Sequence, residues 1–150
     1  MAAKFNGHKL QLTKSEKLQS HIALDLINAP DIAQTIAVTC YGLGISCDLS
    51  GLHTLKIKET DRLVALQNEL TKLGANIRIT KDSLFLEARK DDIVSDIAID
   101  TYHDHRMAMA FAPLGLNVPI GINDAEVVTK SYPSFWDDLD SLGFFLVYDK

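Results

Sequence analysis

Residues 104–115 read DHRMAMAFAPLG. Asp104, His105 and Arg106 lead straight into Met107, Ala108, Met109, Ala110 and Phe111. A helix this apolar belongs inside a protein, and its first turn then carries groups that resist burial unless something partners them. The same arrangement occurs earlier, at residues 31–42, DIAQTIAVTCYG. In both stretches an Asp opens an apolar run and a Gly follows eleven residues later, Gly42 after Asp31 and Gly115 after Asp104. Each Asp stands where a helix N-cap is expected, and capping alone would explain it.

The correspondence extends outward. HIALDLI (21–27) and DIAID (96–100) read as strands before the two helices, and ISCDLSGL (45–52) and PIGIND (119–124) as strands after them. The clearest helix is TDRLVALQNELTKLG (60–74), with Leu63, Leu66, Leu70 and Leu73 at helical spacing and Gly74 closing it. YPSFWDDLDSLG (132–143) is its counterpart, and LDSLG mirrors LTKLG. ANIRIT and SLFLEA predict a hairpin, FFLVY (144–148) a final strand, and HKLQLT near the N-terminus a strand or hairpin. Lys58 follows Asp31 by 27 residues and Lys130 follows Asp104 by 26. The pattern predicts a mixed α/β chain of about two repeated units, about 21–88 and about 96–148.

Composition narrows the function. At 150 residues the chain suits one domain or part of a larger one, and 47% hydrophobic with 23% charged residues is ordinary for a soluble globular protein. A net charge of −5 argues against a general nucleic-acid surface. No apolar run reaches membrane-spanning length, and the polar N-terminus is not a signal peptide, so a cytoplasmic protein is expected. Cys40 and Cys47 lack metal-type spacing and read as buried free thiols.

Any anion site must therefore be a local cluster. KIKETDR (56–62) sets Lys56, Lys58 and Arg62 among Glu59 and Asp61 at a helix entry. Taken by itself it reads equally as a solvated helix start. Its position matches that of Lys130 in the second unit, and packing the two units together would gather Lys56, Lys58, Arg62, Arg106 and Lys130 near two helix mouths. A substrate with phosphate and carboxylate groups suits such a place, because guanidinium grips both in bidentate fashion. His103 and His105 are i, i+2 and share no helix face, His53 is a lone third candidate, and no HExxH spacing is present. A metal-dependent hydrolase using His103, Asp104 and His105 is one competing class, and a non-catalytic module holding phosphorylated metabolites is another.

KETDR (58–62), DHRMAMAFA (104–112), PDIAQTIA (30–37) and KSYPSFW (130–136) together resemble the C-terminal part of the EPSP synthase family, the 3-phosphoshikimate 1-carboxyvinyltransferases. The resemblance implies an inside-out α/β barrel domain built from repeated βαβαββ units, paired with an N-terminal domain across the active site. It implies transfer of the enolpyruvyl group of phosphoenolpyruvate to the 5-hydroxyl of shikimate 3-phosphate, releasing phosphate, with no metal or organic cofactor. Asp31 matches the acid/base at the 5-hydroxyl. Glu59 matches the carboxylate that handles the methylene proton. Lys58 matches a shikimate 3-phosphate contact that also serves proton transfer. Arg62, Arg106 and Lys130 match the cations that hold phosphoenolpyruvate, or glyphosate in its place. Asp104 and His105 match the residues that support Arg106. An asparagine common in the family at a substrate contact is Thr54 here, and Pro113 falls within the second-unit helix. The family enzyme is far longer, and the N-terminal domain that supplies further substrate contacts has no counterpart motifs in this sequence. The chain alone is expected to have no useful turnover.

Overall fold

The computed structural model describes residues 2–13, 19–57 and 61–148. Lys58 and Glu59, and the side chain of Lys56, lie outside the described residues. At the N-terminus β1 (Ala2–Asn6) and β2 (Lys9–Thr13) pair antiparallel, Asn6 opposite Lys9, as the alternation there predicts. Gly7, at φ +58°, supplies the positive φ that such a two-residue loop needs.

The first α/β stretch follows. β3 (His21–Asp25) pairs parallel with β4 (Ser46–Ser50), and α1 (Ala33–Leu43) is the crossover between them. α2 (Arg62–Lys72) leads to the predicted hairpin, β5 (Ile77–Ile79) and β6 (Leu84–Leu86), and the sheet order is β3-β4-β6-β5. In the second stretch β7 (Ile97–Ile99) and β8 (Ile120–Ile122) pair parallel around α3 (His105–Phe111), and α4 (Phe135–Ser141) follows. Both stretches thus share a strand–helix–strand with parallel pairing.

Helices occupy the interior. α1 buries Ala33, Gln34, Ala37, Val38, Cys40 and Tyr41, because its sequence is apolar on nearly every side, and α3 buries Met107, Ala108, Ala110 and Phe111. α1 and α3 pack on each other. α2 is amphipathic instead, and burying Leu63, Leu66, Leu70 and Leu73 contributes about 1.5–3 kcal/mol each. β4 alternates, with Cys47 and Leu49 in the core and Asp48 and Ser50 outside, so one sheet face is solvated. No helix among the described residues is long and apolar enough to cross a membrane.

Three expectations need correction. Asp31 is not an N-cap: Pro30–Ile32 forms a 3-10 turn, α1 begins after it, and no side chain caps α1. Pro30 accounts for this, since its fixed φ starts the turn one residue ahead of Asp31. Gly42 does not stop α1; the helix ends at Leu43 with Gly44 left-handed at φ +73°. A Cβ on Gly42 would sit 2.9 Å from Leu114 Cδ2, so that glycine lets α1 approach the turn after α3. That turn, Ala112–Leu116, is 3-10 because Pro113 cannot continue the α-helical bonding. Finally, FFLVY is not a strand: residues 144–148 join no sheet among the described residues, and Phe145 is 92% exposed. β7 and β8 therefore stand as a two-stranded sheet, and no strand follows α4 among the described residues.

Candidate functional site

Four of the charged residues named from sequence, Asp31, Arg62, Asp104 and Arg106, form one linked cluster. Arg62 opens α2, where the Asp61 carboxylate caps the helix by accepting from the Leu63 and Val64 amides at 3.2 Å each. The guanidinium points inward and is buried. Its Nε donates to Asp104 Oδ2 at 2.6 Å, and a terminal nitrogen donates to Asp31 Oδ1 at 2.9 Å. Asp104 caps α3 as expected, its Oδ1 accepting from the Arg106 amide at 2.9 Å. The Arg106 side chain returns to Asp31, donating to Oδ2 at 3.3 Å. Asp31 thus lies between two guanidinium groups, one on α2 and one on α3, while its own side chain is 44% exposed.

The order of burial explains the arrangement. Arg62 and Asp104 are both deeply buried, and a buried charge persists only when paired and hydrogen-bonded. Gln34, from the first turn of α1, adds a longer contact of 3.4 Å to Asp104 Oδ2. Asp31 and Arg106 are partly solvated, so the free edge of the cluster is where an anion or hydroxyl can arrive. His105 stands beside it, Nδ1 3.9 Å from Asp104 Oδ1. Lys130 ends the 3-10 turn Ala125–Lys130, which packs on α3; it is exposed and has no charged partner among the described residues. His103 and His53 are exposed, and no group of three His, Cys, Asp or Glu among the described residues is placed to hold a metal ion. Thr54 lies in the 3-10 turn His53–Ile57, and its hydroxyl, the Thr101 hydroxyl and Gln34 Oε1 are buried with no hydrogen-bond partner among the described residues.

Sequence reasoning missed a second polar cluster next to the first. Glu69, fully buried on α2, accepts from Lys72 Nζ (2.7 Å), the Asp100 amide (3.0 Å) and the Tyr102 hydroxyl (2.9 Å). Lys72 also reaches Asp100 Oδ2 at 2.7 Å, and Asn123 donates to Asp100 Oδ1 at 2.7 Å. The Lys72 hydrogen bond, followed by that of Asn123, holds the Asp100 carboxyl below its usual range. Burial of Lys72 pulls its pKa down, but hydrogen bonds to Asp100 and Glu69 outweigh that and raise it. Burial raises the Tyr102 phenol. The available signal was a glutamate between Leu66 and Leu70, on the helix stripe that faces the core. Just beyond the cluster, Tyr102 and His103 both have positive φ, +54° and +57°, a conformation costing non-glycine residues about 1–2 kcal/mol each.

The chain is thus a mixed α/β protein with buried helices and a carboxylate held between guanidinium groups at two helix entries. The family model for EPSP synthase (3-phosphoshikimate 1-carboxyvinyltransferase) matches residues 1–139, and the chain belongs to that family. A 3-phosphoshikimate 1-carboxyvinyltransferase from Bacteroides fragilis is 40% identical over 146 residues, 96% of this chain and 36% of the relative. One from Neisseria meningitidis serogroup C is 38% identical over 128 residues, 85% of this chain and 29% of the relative. The solved EPSP synthase of Acinetobacter baumannii superposes with a TM-score of 0.68 at 26% identity, over 83% of this chain and 29% of that one. The chain therefore spans about a third of the length of the relatives it matches.

Proposed function

We propose that this chain supplies the C-terminal-domain share of the active site of a cytoplasmic 3-phosphoshikimate 1-carboxyvinyltransferase, as two repeated α/β units, about 21–88 and about 96–148. The remaining share of the site comes from a region present in the longer relatives. In the reaction the 5-hydroxyl oxygen of shikimate 3-phosphate bonds to C2 of phosphoenolpyruvate while the methylene carbon takes a proton. The tetrahedral intermediate then loses inorganic phosphate and a methyl proton, which restores the double bond. This reading requires no metal or organic cofactor.

The observation that carries the proposal is the placement of Asp31 between Arg62 and Arg106. A carboxylate with one solvated edge can take the hydroxyl proton, while the guanidinium groups beside it hold the phosphate and carboxylate of phosphoenolpyruvate. Asp104 fixes Arg62 and the Arg106 backbone, and His105 flanks them. Lys130 adds a cation that balances charge building on the departing phosphate. Lys58 contacts the 3-phosphate and relays a proton; Glu59 handles the methylene proton, so that two carboxylates divide the acid and base work.

Joining the chain behind the preceding two-thirds of the Bacteroides fragilis relative tests this. The chimaera is expected to release phosphate from the two substrates, and Asp31→Asn and Glu59→Gln are each expected to abolish turnover while the chimaera still binds phosphoenolpyruvate. A folded chimaera that binds both substrates without releasing phosphate would make the chain a binding module instead. The chain by itself is expected to turn over neither substrate.

A further inference from the structure

The Glu69 cluster lies outside the proposed chemistry, yet it controls the segment that delivers the chemistry. Segment 100–106 is tied to α2 at two points. At one, the Glu69 carboxylate accepts from the Asp100 amide and the Tyr102 hydroxyl. At the other, Arg62 holds Asp104. Arg62 and Glu69 are seven residues apart, about two helical turns, so both ties come from one face of one rigid helix. Between the ties stand Tyr102 and His103, two successive non-glycine residues at positive φ. Such a conformation persists only where its surroundings over-determine it, and it gathers at sites whose geometry must be fixed. At the first point Lys72, also on α2, and Asn123 hold the Asp100 carboxylate as well. The amide and side chain of Arg106 follow immediately, one bonded to Asp104 and the other to Asp31.

We infer that Glu69 and Tyr102 are positioning residues: their hydrogen bond latches the left-handed Tyr102–His103 step and thereby aims Arg106 at Asp31. The inference rests on the proposed anion-binding role of Arg106. Neither residue touches the reacting groups. The latch acts by denying the 100–106 segment its relaxed conformations, so that Arg106 meets an anion already oriented.

Two conservative variants separate this from a role in stability alone. Tyr102→Phe removes the hydroxyl that donates to Glu69. Tyr41→Phe removes a comparable buried phenol bond, to the Leu73 carbonyl at 2.6 Å, that involves no residue of the segment. The isotope-labelled 150-residue chain is titrated with phosphoenolpyruvate, and the Arg106 Nε–Hε resonance is recorded before and after. Tyr102→Phe is expected to move that resonance in the free protein and to weaken phosphoenolpyruvate binding about tenfold. Tyr41→Phe is expected to leave both at wild-type values. Two variants alike in resonance and affinity would overturn the latch. If the wild-type chain ignores phosphoenolpyruvate, the anion-binding role of Arg106 falls, and the latch is still judged on the free-state resonance. If Tyr102→Phe does not fold, hydrogen exchange of the Asp100 amide in the wild-type chain decides. Ligand binding and latch closure are reciprocal, so phosphoenolpyruvate must slow that exchange, and an unchanged rate would overturn the inference.

Discussion

Arg62 Nε lies 2.6 Å from Asp104 Oδ2, and each side chain is 6% exposed, which makes this pair the buried joint between α2 and α3. Removing one partner of such a pair leaves the other charged and desolvated, at about 3–5 kcal/mol. Arg62→Ala is therefore expected to lower unfolding free energy by about that much. Asp104→Asn is expected to cost less, because asparagine also caps a helix and can still accept from Arg62. Urea denaturation of the two variants checks the order, and an Arg62→Ala midpoint at or above that of Asp104→Asn would refute it.

Gly51 and Gly7 both have positive φ, +75° and +58°, but only one is hemmed in. A Cβ on Gly51 would stand 2.5 Å from Asp25 Oδ1 and from the Ile27 amide nitrogen, while one on Gly7 meets nothing within 4 Å. Gly7→Ala is expected to cost about 1–2 kcal/mol for its backbone alone. Gly51→Ala adds a clash with backbone and is expected to cost at least about 1–3 kcal/mol more. Thermal unfolding of both variants measures the gap.

Acid sensitivity follows from Asp100. Its pKa is lowered in the folded protein, chiefly by the Lys72 hydrogen bond, so it binds fewer protons there than in the unfolded chain. The stability it contributes is present above the unfolded value, about 3.9, and is lost as pH falls through the lower folded value. The raised Lys72 pKa has the opposite sense: its contribution is present below about 10.4 and is lost as pH rises through the folded value. Asp100→Asn is expected to flatten the acid limb of a stability–pH profile. An unchanged acid limb would mean that Asp100 gains nothing from its partners.

Cys40 and Cys47 are buried and reduced. The Cys40 contact and burial together push the Cys47 thiol far above its usual range, and a thiol attacks only as thiolate. A colorimetric disulfide reagent is expected to label neither cysteine in the native chain and both in denaturant. Native labelling of Cys47 at the denatured rate would contradict its burial.

Local signals in the sequence carried much of this fold. The apolar runs after Asp31 and Asp104, the leucine spacing of α2 and the hairpin around Lys81–Asp82 report on short-range periodicity, and all three appear in the structure. FFLVY failed because an apolar, β-prone run shows strand preference, whereas a strand also needs backbone pairing, and residues 144–148 join no sheet among the described residues. Asp31 was misread as a cap because Pro30 displaces the helix start, and its freedom from capping is what lets it meet two arginines. Arg62, Arg106 and Asp104 were legible as residues, while their pairing spans 31 to 75 positions and no local pattern encodes it. Glu69 and Tyr102 escaped notice for the same reason.

The central claim is a preformed anion cradle around Asp31. A two-dimensional NMR titration of the labelled chain with phosphoenolpyruvate tests it most directly. The account expects a dispersed spectrum in which resonances of Arg62, Arg106 and Lys130 move together and saturate, and in which Arg106→Ala abolishes the response. A dispersed spectrum that phosphoenolpyruvate leaves unmoved at all three residues would contradict it.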